Sequence, residues 1–308
     1  MRQRLADSLR HIWDQAAGCL NLSSEKFQQF LSRLERHAVA PLTFSYYFDA
    51  VLAIEADDVE QASRLLAEMM DLPAHPGGPI VAELGDPSQD ATARRYANFI
   101  DTDPSFKFEI FPPSAPAAQS CRDQIKGAFA LLDAGDPVLA AEIRALLREI
   151  ILAAGSEAKN VMTFDGASSF MLWGAIIINA NRKDGDLEMV QMLAHESAHN
   201  LLFGLSADGE LVENSPEELF SSPLRKDPRP MDGIYHATFV TARMHRVVKH
   251  LLDSGTLSAA HREKGLKDLE LNTRLFKQGF DIVNQHGRLS PLGAVIMKGA
   301  GDYMAPFI

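Results

Sequence analysis

The string His195-Glu196-Ser197-Ala198-His199 constrains this chain more than any other part of it. Four residues of α-helix turn the backbone through about 400°, so both imidazoles leave one face a turn apart and can share a metal ion. The surrounding residues predict that helix. Leu187 to Leu205 (LEMVQMLAHESAHNLLFGL) sets apolar side chains at Met189, Met192, Leu193, Ala194, Leu201, Leu202 and Phe203, the pattern of a mostly buried helix. Asp184, Gly185 and Asp186 offer turn and capping chemistry ahead of it, and Gly204 is placed to close it. Two histidines and a glutamate among such neighbours need partners, because an unpaired buried polar group costs about 1 to 3 kcal/mol. A metal satisfies the imidazoles directly. The structural alternative is a pair of partly exposed histidines bonded to neighbouring side chains.

A metal site needs a third protein ligand, and Glu210, Glu213, Glu217, Glu218 and His236 follow His199 in the chain. Glu218 lies 19 residues beyond His199, a spacing compatible with the glutamate-liganded zinc peptidases. His236 begins the amphipathic stretch Ile234 to Leu252 (IYHATFVTARMHRVVKHLL), which can face the first helix and complete a three-histidine site. Between the two candidates runs Ser221-Ser222-Pro223-Leu224-Arg225-Lys226-Asp227-Pro228-Arg229-Pro230. Three prolines stiffen this loop, so Arg225 and Arg229 can present donors to a carboxylate, while Lys226 reads as a solvated charge. Arg243 follows His236 by seven residues, nearly two turns, which puts a guanidinium on the same helical face.

The rest of the chain predicts an α+β protein, predominantly helical, with a small sheet beside the HExxH helix. Helical spacing of apolar residues covers 3–20, 25–37, 58–71, 117–133 and 137–153, and a longer segment runs from Ser258 to His286. Phe106 to Phe111, Asn160 to Phe164 and Phe170 to Asn179 read as strands, the last two joined by Asp165-Gly166-Ala167-Ser168-Ser169. A strand just ahead of an HExxH helix can offer an edge on which an extended peptide adds as a further strand. The proline loop Pro112-Pro113-Ser114-Ala115-Pro116 suggests a mainly helical N-terminal region over 1–113 and a metal-binding region over 114–308. His245, His250, His261 and His286 have no second ligand at metal spacing and read as surface or satisfied core residues.

Composition narrows the partners. The 308 residues carry 41 acidic against 30 basic side chains, a net charge of −11 that argues against general affinity for nucleic acid or an anionic membrane. Cys19 and Cys121 match no metal spacing and read as free thiols of a reducing compartment. The opening MRQRLADSLRHIWDQ is charged where a secretory signal would be apolar, and no apolar run reaches the 18 or so residues of a membrane span. A cytoplasmic protein is expected.

Taken together, HESAH, the SSPLRKDPRP loop and the following GIYHATFVTARM resemble the HExxH-motif peptide-modification proteins encoded beside ribosomally made peptide natural products. The likeness is strongest from about Asn160 to Met244, includes SSFMLWGAIIINAN, and has no counterpart in the first hundred residues. The resemblance implies a non-heme iron(II), 2-oxoglutarate-dependent oxygenase that hydroxylates a side chain of a precursor peptide. It implies His195, His199 and His236 as iron ligands, and Arg225, Arg229 and Arg243 as candidates for holding 2-oxoglutarate. Three protein ligands leave open positions for a chelating cosubstrate and oxygen, although the usual triad has a carboxylate where this chain would use a third imidazole. Glu196 would then orient a ligand or a water. The competing enzyme is a zinc metallopeptidase using Glu218 or His236 as third ligand and Glu196 as general base. A binding module that keeps a metal for structure is the third class.

Overall fold

The computed structural model describes residues 1–16, 18–100, 109–156, 164–182, 184–222 and 227–308. They form an α+β, predominantly helical fold, as the sequence predicts. Four helices, α1 (Arg2–Ala16), α2 (Ser24–Arg36), α3 (Leu42–Glu55) and α4 (Val59–Asp71), lead into β1 (Ile80–Glu83), α5 (Ala91–Ile100) and β2 (Ile110–Phe111). Next come α6 (Ala115–Gly135), α7 (Pro137–Leu146), β3 (Glu149–Gly155), β4 (Gly166–Ala167) and β5 (Ala175–Asn179). The chain ends with α8 (Asp186–Leu205), β6 (Leu219–Phe220), β7 (Arg229–Pro230), α9 (Met231–Ser254), α10 (Ala259–His286) and α11 (Pro291–Met304). Among the described residues no helix is long and apolar enough to cross a membrane.

Two compact units result, one of Met1–Ala118 with Arg144–Asn181, the other of Gln119–Ile143 with Arg182–Ile308. The chain passes between them within α6, within α7 and after β5, whereas the proline loop suggests a single division. Strand pairing explains the interleaving: β3 runs parallel to both β1 and β5, which draws residues 149–155 into the sheet of the first unit.

That pairing overturns the expected helix over 137–153. The helix stops at Leu146, and Glu149–Gly155 becomes a strand whose Ile150, Ile151, Leu152 and Ala153 are all buried. An apolar run of this length suits a helix or an inner parallel strand equally, and the partners on both sides decide it. The sheet order is β1-β3-β5-β4, with β2 antiparallel to the end of β3. Consequently β5 is an inner strand, held along its length by β3 on one side and over Ile177 and Ile178 by β4 on the other, so among the described residues it is not the free edge strand the peptide-addition reading needs. Its start also differs from expectation: Phe170–Leu172 is a turn of 3-10 helix, and β4 lies within the expected loop. Residues 106–108 and 160–163 of the other two expected strands lie outside the described residues.

Six further elements have no sequence expectation: α3, α5, β1, β6, β7 and α11. In α3 (LTFSYYFDAVLAIE) apolar and aromatic residues surround the helix, so no polar stripe gives the 3.6-residue period. Asp90 caps the start of α5 by accepting from the Thr92 N–H at 2.8 Å.

The second unit sets the position of α8. Gly127 of α6 lies so close that an added Cβ would be 2.5 Å from the Asp186 carboxylate, which lets α6 press against the first turn of α8. Gln191 donates to Asp268 of α10 at 2.8 Å and accepts from Asn272 at 3.4 Å. Lys264 bridges Asp268 and Glu188. On α9, His250 engages Asp136, which also caps α7 by accepting from the Leu139 N–H, and Gly255 ends α9 in the left-handed conformation at φ 71°.

Candidate metal centre

The HExxH motif lies on α8 as the sequence predicts, and α8 continues one residue past Gly204 before ending against Ser206. Leu187, Met189, Val190, Leu193, Ala194, Ala198 and Leu202 are buried, and this apolar side packs the helix while the motif histidines stay partly accessible. His195 and His199 face each other across one turn, with 3.2 Å between their Nε2 atoms. Two nitrogens that each lie about 2.1 Å from one ion are separated by about 3 Å, so this pair fits two corners of a metal site.

The third imidazole comes from α9. His236 Nδ1 lies 3.0 Å from His199 Nδ1, and the two rings stack at 5.2 Å between centroids. One turn of α8 separates His199 from His195, while His195 Nδ1 meets the Met244 sulfur at 3.3 Å, two turns beyond His236 on α9. Contacts that progress in opposite directions along the two helices mean that α8 and α9 run antiparallel here. Phe203 closes the cluster, its ring 6.2 Å from His199 and 5.4 Å from His236.

The three rings form a chain with His199 in the middle. His199 presents Nε2 to His195 and Nδ1 to His236, and these two nitrogens of one imidazole diverge, so they cannot both bind a single ion. Among the described residues no three His, Cys, Asp or Glu side chains converge as a ready cage. His195 and His199 fit a metal as they stand. For all three to hold the same ion, one ring must turn.

Burial favours the neutral, ligating form of two of these imidazoles, His199 and His236. Burial holds His199 well below the ordinary histidine range, and His195 and His236 push it the same way. Burial also lowers His236, opposed by the charge of Asp232, whose carboxylate is 3.9 Å from His236 Nε2. A neutral imidazole offers a lone pair and a protonated one does not. Glu196, only 3% exposed, is the acidic residue buried in α8, beside the fully buried Ser197 and Asn200.

The remaining candidates lie in different settings. Glu218 is bound on both carboxylate oxygens, by Arg288 at 2.9 Å and by Asn214 at 3.0 Å, and those partners hold it below the usual carboxylate range. Arg243 pairs with Glu142 of α7, so the seven-residue spacing from His236 leads its guanidinium to a carboxylate of the protein. Arg229 sits in β7 and pairs with Asp227 at 2.7 Å. β6 and β7 pair antiparallel, with Phe220 opposite Arg229. Arg225 lies outside the described residues.

Sequence reasoning places neither Met244 nor Phe203 at the site, Phe203 entering only through the helix pattern. Both touch the histidine cluster, and the only sequence signal was their spacing: Phe203 follows His199 by four residues, and Met244 follows His236 by eight. His245, read as a surface or satisfied core residue, is buried and bonds Tyr303 of α11 at 2.9 Å. Cys19 and Cys121 are free thiols, Cys121 buried and pushed up to about 11 by that burial. Compared with protein-family models and with curated proteins, the chain has no match.

Proposed function

We propose that this chain is a non-heme iron(II), 2-oxoglutarate-dependent oxygenase of the cytoplasm that hydroxylates a side chain of a ribosomally made precursor peptide. One observation carries the reading beyond the motif: His236, and not Glu218, stands against the HExxH pair. His195, His199 and, once a ring has turned, His236 would hold the iron. Together with 2-oxoglutarate and oxygen, the iron supplies C–H hydroxylation with succinate and carbon dioxide as co-products.

The chain's own residues have separate tasks. Burial favours the neutral form of His199 and His236, and the Phe203 ring packs against both. The Met244 sulfur lies against His195 Nδ1, and Glu196 would orient a ligand or a water. For the cosubstrate carboxylate, Arg229 is the better placed of the two described arginines. Its partner Asp227 is 42% exposed, against 33% for Glu142, the partner of Arg243.

The 3.2 Å histidine pair fits zinc equally well, which favours a zinc peptidase with Glu196 as general base toward water as the second reading. Anaerobic addition of iron(II) and then 2-oxoglutarate separates the two. The oxygenase gives a visible charge-transfer band that His199→Ala and His236→Ala abolish, and with oxygen and a substrate peptide it gives succinate and a product heavier by one oxygen atom. Peptide cleavage that needs zinc and ignores 2-oxoglutarate would sink the proposal.

A further inference from the structure

The sheet-bearing unit contains a cavity of about 340 Å³ lined by Met1, Arg2, Gln3, Val39, Arg148 and Trp173. It opens where the parallel strands begin: Arg148 immediately precedes β3, and Trp173 lies two residues before β5. The Arg148 backbone is fixed on both sides, its N–H donating to Gly174 O at 2.7 Å and its carbonyl accepting from Ile80 N–H at 2.8 Å. Its side-chain stem crosses Gly174, where a Cβ would lie 3.3 Å from Arg148 Cγ and where φ is 95°. A side chain at residue 174 would therefore be strained and would crowd the stem.

The two guanidiniums at this cavity are bonded only to backbone carbonyls among the described residues. Arg2 Nη1 donates to His37 O at 2.7 Å, and Arg148 Nη1 donates to Arg144 O and Leu147 O at 3.3 Å each. Neither has a carboxylate partner among those residues, unlike Arg95, Arg229 and Arg243. Burial lowers Arg148, and Arg2 lowers it further by direct repulsion. His75, itself buried, is lowered by burial and then by the charge of Arg148. Two guanidiniums repelling one another at a cavity are the arrangement that an anion relieves.

We propose that this cavity binds a small organic anion, with its carboxylate between the Arg2 and Arg148 guanidiniums and its body against Trp173. Guanidinium forks match a carboxylate in two-point geometry, and the Trp173 and Val39 walls favour an apolar body over a bare ion. The volume lies at the low end of the range for small-molecule sites, about 300 to 1,000 Å³. The same chemistry fits a free acid or the acidic side chain of a peptide.

Calorimetric titration of the full chain in the presence of a metal chelator tests this without any contribution from the histidine cluster. The probes are benzoate, a short peptide with one glutamate, its glutamine counterpart, and inorganic phosphate. Saturable binding of benzoate, or of the glutamate peptide over the glutamine one, is expected, and the better of the two identifies the source. That binding weakens at least about tenfold in Arg148→Gln and in Arg2→Gln. Arg2 is exposed, so Arg2→Gln keeps the test valid if Arg148→Gln does not fold. Binding by phosphate alone, no saturable binding, or unchanged binding in Arg2→Gln overturns the proposal.

Discussion

In the sheet-bearing unit the polar side chains withdrawn from water are Thr43, Ser45, Ser63, His75 and Ser169, whereas the unit built on α8 and α9 buries, besides the hydroxyls of Ser197, Thr238 and Thr241, also Asp136, Gln191, Glu196, Asn200, His245 and Asn272. The first set is mostly hydroxyls that bond to nearby backbone, as Ser45 does to Leu42 O. The second set includes carboxylates and amides with large desolvation costs, and these are met by partners from other helices: His250 for Asp136, Asp268 and Asn272 for Gln191, Tyr303 for His245. The contrast separates two ways of building an interior. The sheet is held by apolar contact on both faces of β3 and β5, while the helical unit is held in register by polar links around the histidine cluster.

His199→Ala breaks the helical side of this contrast most severely. It removes the ring at the centre of the cluster and is expected to weaken iron or zinc binding at least about 1,000-fold, since even second-sphere changes cost 10- to 100-fold. Metal titration of a variant with unchanged circular dichroism measures it, and binding within tenfold of the parent would remove His199 from the site.

On the sheet side the matching change is Ile177→Ala in the inner strand β5. It should cost about 2 to 5 kcal/mol in denaturant unfolding, because Ile177 is fully buried between neighbouring strands. A loss below about 1 kcal/mol would mean that apolar packing does not dominate that unit.

pH sharpens the comparison. Burial lowers His245 to about 4, with Lys249 adding to the shift. Below about pH 6.5 the unfolded chain binds a proton that the folded chain refuses. Stability from this residue is therefore complete above that pH and is lost as pH falls toward 4, by about 3 kcal/mol in all. His245→Gln should flatten the unfolding free energy over that interval relative to the parent. An unchanged slope would assign the acid sensitivity to other groups.

The smallest effect is expected from Met244→Leu. Leucine fills nearly the same volume and loses the sulfur contact with His195, so metal affinity should change by less than about tenfold and stability by less than about 1.5 kcal/mol. A larger fall in affinity with stability preserved would make Met244 a positioning residue of real weight.

Legibility in the sequence followed the strength of the local signal. The α8 helix could be read because its apolar positions, acidic first turn and histidine spacing agree, and α9 and α10 could be read for similar reasons. The helix α3 could not, because an element apolar on every side has no period, and β3 could not, because REIILAAG carries no feature that separates a buried strand from a helix. At the site, the four-residue spacing was sufficient to bring His195 and His199 together. The seven-residue spacing placed Arg243 on the His236 face without revealing that Glu142 waits there.

By itself, then, the sequence determined what one helix can do: two imidazoles a turn apart, set into an apolar segment with a glutamate between them. Helical periodicity is a local property, so it survives without knowledge of neighbours. Only the tertiary structure decided that His236 meets His199, that Glu218 turns to Arg288, and that β5 is an inner strand. Those outcomes depend on contacts between residues dozens of positions apart, where burial and pairing with a particular partner outweigh any preference written in the local chain.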